Sequence, residues 1–274
     1  MIRHRAYLPI VALFGFAFSL FSASVTAGIF DTKHNLGASG INAKSNFSGT
    51  TEICVFCHTP HGGDASASPP IWNRKSLGTF QTYDQRGSAS LDAQIEPVGS
   101  VSIACLSCHD GTQAMDSIIN EPGSGRDVAA FSSGIWSGQA ASVNGRIGPP
   151  TVVTNLGRDL TDDHPIGVQF AGGGYSETNP DGPGKDRDFH VASTERRGLK
   201  RFWWVNNNAR GGTAGFELTD MKLYTRVATR GSQIGEAQPY VECASCHDPH
   251  VSDNPTFLRV DPRESQVCLT CHNK

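Results

Sequence analysis

All eight cysteines of the 274-residue chain follow one spacing pattern, and this pattern limits what the chain can fold into. In each of four units, two cysteines separated by two residues are followed directly by a histidine. No cysteine is left over. Any fold of this chain must therefore bring two thiols and one imidazole together at four places, which are residues 54–58, 105–109, 243–247 and 268–272.

The C-x-x-C-H spacing is that of covalent haem attachment. The two thiols of a unit form thioether bonds with the vinyl groups of one haem, and the adjacent histidine becomes the proximal iron ligand. The sequence therefore predicts four covalently bound haem c groups. The predicted attachment residues are Cys54, Cys57, Cys105, Cys108, Cys243, Cys246, Cys268 and Cys271, and the predicted proximal ligands are His58, His109, His247 and His272.

Other uses of paired cysteines explain less of the pattern. A zinc site takes four Cys or His ligands for each metal ion, which gives no reason for a histidine after every second cysteine. Disulfides are typical of exported chains with an even number of cysteines, but these spacings favour haem attachment. A thioredoxin-like redox site would use one C-x-x-C pair, and this chain has four.

Histidines outside the four units are the candidate distal ligands of the irons. His61 and His250 follow the first and third units in a shared C-x-x-C-H-x-P-H pattern. Histidines three apart on a helical turn face the same side, so these two are predicted to ligate neighbouring haems. His164, which has acidic neighbours, and His34 are the predicted distal ligands of the remaining irons. His190 is then the surplus histidine.

Residues 1–27 are predicted to be a cleaved export signal, with the cut before Gly28. Arg3 and Arg5 precede an apolar run that ends in small residues. The alternative is an uncleaved membrane anchor, but the run is shorter than the ~20 residues that span a bilayer. Residues 28–274 are therefore predicted to be exported, to the periplasm or the cell exterior, with no membrane span.

Residues 110–242 contain no C-x-x-C-H unit and are rich in Gly, Asn, Ser and Asp, which favours turns and loops. The sequence predicts one loop-rich multihaem domain over 28–274, with short helices at the units and a core formed by stacked haems. A further helical turn is predicted at 114–120. Short strands are predicted at 150–155, 167–170 and 202–205.

The chain resembles the multihaem c-type cytochromes with doubled C-x-x-C-H motifs. Within that group it looks most like the tetrahaem cytochromes that polymerise into extracellular filaments. The resemblance implies a continuous chain of stacked haems, and it implies that one subunit supplies a distal histidine to a haem of its neighbour, with His34 as the candidate donor. The residues on which this resemblance rests are 33–36, 53–62, 104–112, 163–167, 242–250 and 268–274.

Iron with two histidine ligands has no open coordination position, so the predicted function is electron transfer without enzymatic chemistry. We expect an exported electron carrier that acts as a filament protomer, with redox proteins, extracellular acceptors and further copies of itself as partners. The alternatives are a monomeric periplasmic shuttle to a terminal reductase and a redox enzyme with one open haem. A formal net charge of −3 argues against nucleic acid as a partner.

Overall fold

The computed structural model describes residues 28–41, 44–75, 78–87, 91–125, 128–207 and 215–273. The predicted export signal, residues 1–27, lies outside these ranges. Within them, no helix has both the length and the apolar character that crossing a membrane requires.

The helices of the described residues are short, and three of the four α-helices overlap C-x-x-C-H units. The α-helices are α1 (Ser102–His109), α2 (Val128–Ser132), α3 (Cys243–Cys246) and α4 (Gln266–Leu269). Single 3₁₀ turns span Cys54–Phe56, Tyr83–Arg86, Pro122–Gly125, Gly138–Val143, Phe170–Gly172, Gly231–Gln233, Pro255–Phe257 and Arg263–Ser265. Each of the four units therefore contains a helical turn, which confirms this part of the sequence prediction.

A five-stranded antiparallel sheet with the order β1-β5-β4-β3-β2 lies in the part of the sequence between the second and third units. Its strands are β1 (Val168–Gln169), β2 (Ser193–Arg197), β3 (Lys200–Val205), β4 (Met221–Val227) and β5 (Ala237–Val241). A two-residue loop joins β2 to β3, and Gly198 there has a φ of 62°, which a residue without Cβ adopts at little cost. Because β5 ends two residues before α3 begins, the sheet holds the third unit in place.

The chain packs side chains into two hydrophobic clusters. One lies on the sheet and contains the buried residues Trp203, Leu223 and Tyr175. The other contains Phe47 and Phe56, and it lies against the first C-x-x-C-H unit. The sheet therefore has a side-chain core of its own. The expectation of a core formed by stacked haems remains a prediction for the C-x-x-C-H units.

The finer predictions of secondary structure succeeded only in part. Strands at 167–170 and 202–205 are confirmed by β1 and β3. The strand at 150–155 is wrong, because Val152 and Asn155 each donate a backbone hydrogen bond to the carbonyl three residues earlier and so form turns. The helical turn at 114–120 is also wrong. There the backbone N–H of Ile119 donates to the carbonyl of Asn73 instead of to its own segment, at 2.8 Å.

Replacing a buried leucine of the sheet should destabilise the fold. Leu223 on β4 is 2 % exposed, so we expect Leu223→Ala to lower the free energy of unfolding by about 2–5 kcal/mol, because it leaves a cavity. Leu199, at the β2–β3 loop, is 95 % exposed, and Leu199→Ala should change stability by less than about 0.5 kcal/mol. Denaturant unfolding followed by circular dichroism measures both, and equal losses would contradict the core described here.

Candidate functional site

The first three C-x-x-C-H units lie side by side. Burial raises the pKa of Cys57 in the first unit to about 12, and the charge of Cys108 in the second unit adds to this shift. The thiols of Cys105 in the second unit and Cys243 in the third interact, which raises the pKa of Cys105 and lowers that of Cys243. The backbone N–H of Cys243 also donates to Oγ of Ser102 on α1, at 3.0 Å.

The fourth unit lies next to the third. Burial raises the pKa of Cys246 to about 11, with smaller contributions from other thiols that include Cys268. Burial likewise raises the pKa of Cys271 to about 12, and the charge of Cys246 is the next cause. The four units thus form a row in the order of the sequence. Cys54 and Cys268, in the first and last units, are exposed, and the other six cysteines are partly buried.

All eight cysteines carry free thiols in this structure, which does not support the disulfide alternative. Five of them have raised pKa values. A thiol with a raised pKa is a poor nucleophile because little of it is thiolate at neutral pH, so these thiols are not suited to thioredoxin-type exchange. The row is better suited to binding a group through cysteine than to cysteine catalysis.

The histidines of the first three units share one hydrogen-bonding arrangement. Nδ1 of each ring lies at hydrogen-bond distance from a backbone carbonyl. A carbonyl can only accept, so Nδ1 carries the proton and Nε2 keeps its lone pair, as in an imidazole that ligates a metal through Nε2. The pairs are His58 with Pro70 at 2.9 Å, His109 with Thr154 at 2.8 Å, and His247 with Thr256 at 2.8 Å.

Two of these histidines face a second histidine at the separation that a shared iron requires. Two imidazoles bound through Nε2 to opposite sides of one metal ion have ring centres about 6 Å apart, given a metal–nitrogen bond of ~2 Å. The ring centres of His58 and His250 are 6.4 Å apart, and those of His109 and His34 are 6.2 Å apart. The residues present therefore fit a six-coordinate haem iron at the first and second units.

The helical turns of the first and third units end before the histidines of the C-x-x-C-H-x-P-H pattern. The 3₁₀ turn of the first unit ends at Phe56, and α3 ends at Cys246. The prediction that His61 and His250 each share a helical turn with the histidine three residues earlier is therefore wrong. The ring of His250 nevertheless faces the first unit, although the residue follows the third.

Asp248 orients the ring of His250. Its Oδ1 lies 3.3 Å from Nδ1 of His250, and this hydrogen bond raises the pKa of the histidine. Arg259 holds the same carboxylate from the other side, with Nη1 3.2 Å from Oδ2. A carboxylate on the second nitrogen is a common support for a metal-ligating histidine.

The other predicted distal ligands lie nearer the surface. His61 is exposed, and its carbonyl accepts hydrogen bonds from Asn120 at 2.8 Å and Thr59 at 3.1 Å. His164 lies near His272 of the fourth unit: burial is the main cause of the lowered pKa of His272, and the charge of His164 is the next. His190, the predicted surplus histidine, is also held at this unit.

The backbone N–H of His190 donates to the carbonyl of Cys271 in the fourth unit at 2.9 Å. Both His164 and His190 are thus brought to the fourth unit, and the sequence alone gave no sign that His190 belongs there.

Residues 70–74 form a segment that the sequence analysis did not single out and that holds the first unit. The carbonyl of Pro70 accepts from His58, and the Trp72 ring lies edge-on to His58 with ring centres 5.7 Å apart. The backbone N–H of Asn73 donates to the carbonyl of Cys57 at 2.8 Å. No motif marks this segment, and only its run of Trp, Asn and Arg after the first unit could have drawn attention to it.

A strained turn near the carboxyl terminus holds histidines of two different units. Thr256 and Phe257 have φ values of 55° and 61°, which cost a residue with a Cβ about 1–3 kcal/mol each. The carbonyl of Thr256 accepts from His247, while the ring of Phe257 stacks on that of His34 at 4.5 Å. The turn therefore positions one histidine of the third unit and the histidine that faces the second.

Comparison with known protein families agrees with this geometry over the carboxyl-terminal part of the chain. The family model of the doubled CXXCH motif matches residues 238–274, which contain the third and fourth units. No curated protein matches the chain. The match indicates covalent binding of haem c and supports an electron-transfer protein.

Asn73 should be important for the structure of the first unit. It is fully buried, and its side chain donates to the carbonyls of Val55 at 2.6 Å and Asn120 at 2.9 Å. We expect Asn73→Ala to lower the free energy of unfolding by about 2–4 kcal/mol, because buried carbonyls lose their donors. Denaturant unfolding measures this loss.

A matched substitution in an exposed turn, Asn179→Ala, should cost less than about 1 kcal/mol. An Asn73→Ala protein as stable as the Asn179→Ala protein would contradict the role given to residues 70–74.

Proposed function

We propose that the chain is an exported tetrahaem c-type cytochrome that carries electrons along its four C-x-x-C-H units. The observation that carries this proposal is the order of the units, since thiols of each unit lie next to thiols of the following unit. The second and third units are also joined by the hydrogen bond that the backbone N–H of Cys243 donates to Oγ of Ser102, at 3.0 Å. A haem at each unit supplies a one-electron Fe(III)/Fe(II) couple.

The distal ligands are proposed from the ring pairs. His250 serves the first unit and His34 the second, because their rings face the histidines of those units. His164 serves the fourth unit, where its charge acts on His272. His61 is left for the third unit, since it holds the same place after the first unit that His250 holds after the third. With two histidines on every iron, no coordination position is open to a substrate, which supports electron transfer.

Both ends of the row are open to partners. Cys54 in the first unit and Cys268 in the fourth are exposed, whereas the cysteines between them are partly buried. A redox partner protein can therefore approach one end, and an acceptor the other. The cysteines of the two middle units are less exposed than Cys54 and Cys268, which favours transfer along the row over loss from its sides.

Assembly follows from the same features. Exposed end units allow copies of the chain to meet end to end, which would extend the row into the filament that the resemblance implies. His34, however, faces His109 of its own chain, and we propose that it serves this chain and not a neighbour. Each chain is then a complete carrier, as the periplasmic shuttle requires, and end-to-end contact needs no exchange of ligands.

Removing His250 should open one iron of the haem-loaded protein. We expect His250→Ala to keep four attached haems, counted by intact mass, and to convert one of four low-spin centres to high spin, because the first unit loses its distal ligand. Electron paramagnetic resonance measures the spin states. His190→Ala is the matched control and should leave all four centres low-spin. Four low-spin centres in His250→Ala would refute the ligand assignment, and fewer than four haems in the unaltered protein would refute the tetrahaem proposal.

Ligation within one chain predicts spin states that do not depend on dilution. We expect the isolated monomer, identified by analytical ultracentrifugation, to be fully low-spin at every concentration. A high-spin centre that appears when the protein is diluted would mean that a neighbour donates a histidine. Cryo-electron microscopy of the secreted material then distinguishes filaments from monomers.

A further inference from the structure

Arg74 lies fully buried between the first and second C-x-x-C-H units. Its neighbour Asn73 is bonded to the first unit through the carbonyl of Cys57. Its own Nη2 donates to the carbonyl of Ser107, which lies between the two cysteines of the second unit, at 3.0 Å. The guanidinium is therefore inside the row, next to two adjacent centres.

The guanidinium is held by neutral groups. Besides Ser107, its donors reach the carbonyls of Ala114 at 2.9 Å and Met115 at 2.6 Å, and its Nε has no partner among the described residues. Burying a charge costs several kcal/mol, and carbonyl dipoles offset only part of that cost while leaving the net charge in place. The positive charge of Arg74 therefore acts on its surroundings with little screening.

The cations near the third unit are balanced by carboxylates. Nη1 of Arg226 lies 3.1 Å from Oε1 of Glu242, the residue before Cys243. Nη1 of Arg259 lies 3.2 Å from Oδ2 of Asp248, the residue after His247. The second unit also has an ion pair beside it, since Nε of Arg158 lies 3.5 Å from Oδ2 of Asp110, the residue after His109. The first half of the row therefore differs from the second by the additional buried cation of Arg74, which is bonded to neutral groups.

We infer that Arg74 makes the first and second centres the electron-accepting end of the row, by raising their reduction potentials above those of the third and fourth. The inference rests on the proposed function. Reduction of each iron from Fe(III) to Fe(II) takes one electron from a protein donor and removes one positive charge from the site, so an unbalanced cation beside it favours the reduced state. Electrons that enter haems held at the third and fourth units would then move to those held at the first two, with the donor centre oxidised as the acceptor centre is reduced.

The test replaces Arg74 in the full haem-loaded chain and measures all reduction potentials by optical and NMR redox titration. We expect Arg74→Gln to lower the potentials of two of the four centres, each by at least a tenfold change in its one-electron equilibrium constant, or about 59 mV. Arg74→Lys, which keeps the charge, should lower them much less. Arg146→Gln removes the same charge from an exposed position and should leave all four potentials unchanged.

Unchanged potentials in Arg74→Gln would overturn the inference. An equal fall in Arg74→Lys would also overturn it, because the effect would then come from packing and not from charge. If Arg74→Gln does not fold, the unaltered protein provides the test. An NMR-assigned redox titration must then place the two highest reduction potentials at the first and second units. If four haems are attached but the potentials fall in another order, the inference is overturned and the proposed function stands. A chain without attached haem would overturn the proposed function.

Discussion

The contact between α1 and α3 is the interaction on which the arrangement of the site depends. The hydroxyl of Ser102 on α1 donates to the carboxylate of Glu242 and accepts from the backbone of Cys243 at 3.0 Å, so that one serine joins the second unit to the third. Glu242 is buried, which raises its pKa, and Arg226 opposes that rise from 3.1 Å away. Because β5 leads into α3, the sheet and this buried cluster together bring two units that are more than a hundred residues apart into one row.

The irregular segments around this row supply hydrogen-bond acceptors for the histidines of the units. An imidazole that is to keep Nε2 free needs an acceptor for its Nδ1 proton, and the carbonyls inside helices and strands are already taken by their own hydrogen bonds. The acceptors here are the carbonyls of Pro70, Thr154 and Thr256, each from a different loop. A chain with several such histidines benefits from many segments whose carbonyls remain available, and this gives a reason for the scarcity of regular elements.

The sequence predicted the parts of the site that are local in the chain. Spacing alone identifies the cysteines and the histidine of each unit, because attachment of one haem needs them within five residues. The second histidine that faces the histidine of a unit lies far from it in the sequence, so local spacing does not predict it. His34 faces His109 across 75 positions of sequence, and nothing near either residue encodes that pairing. The strand β4 was missed because only two buried residues, Met221 and Leu223, alternate with less buried ones, which is too short a pattern to identify a strand. The run at 150–155 resembles a strand in composition but forms turns after two prolines.

The turn at Thr256 and Phe257 also bears on the order in which the molecule is built. It supports His34, near the amino terminus, and it comes close to the end of the chain, only a few residues after His250. Under the ligand assignment proposed above, the centres made from the earliest units are completed by the latest residues. During synthesis, the first two units would therefore be exposed to solvent and to other thiols until almost the whole chain has emerged, and a chain cut short near its end would lose coordination at its beginning.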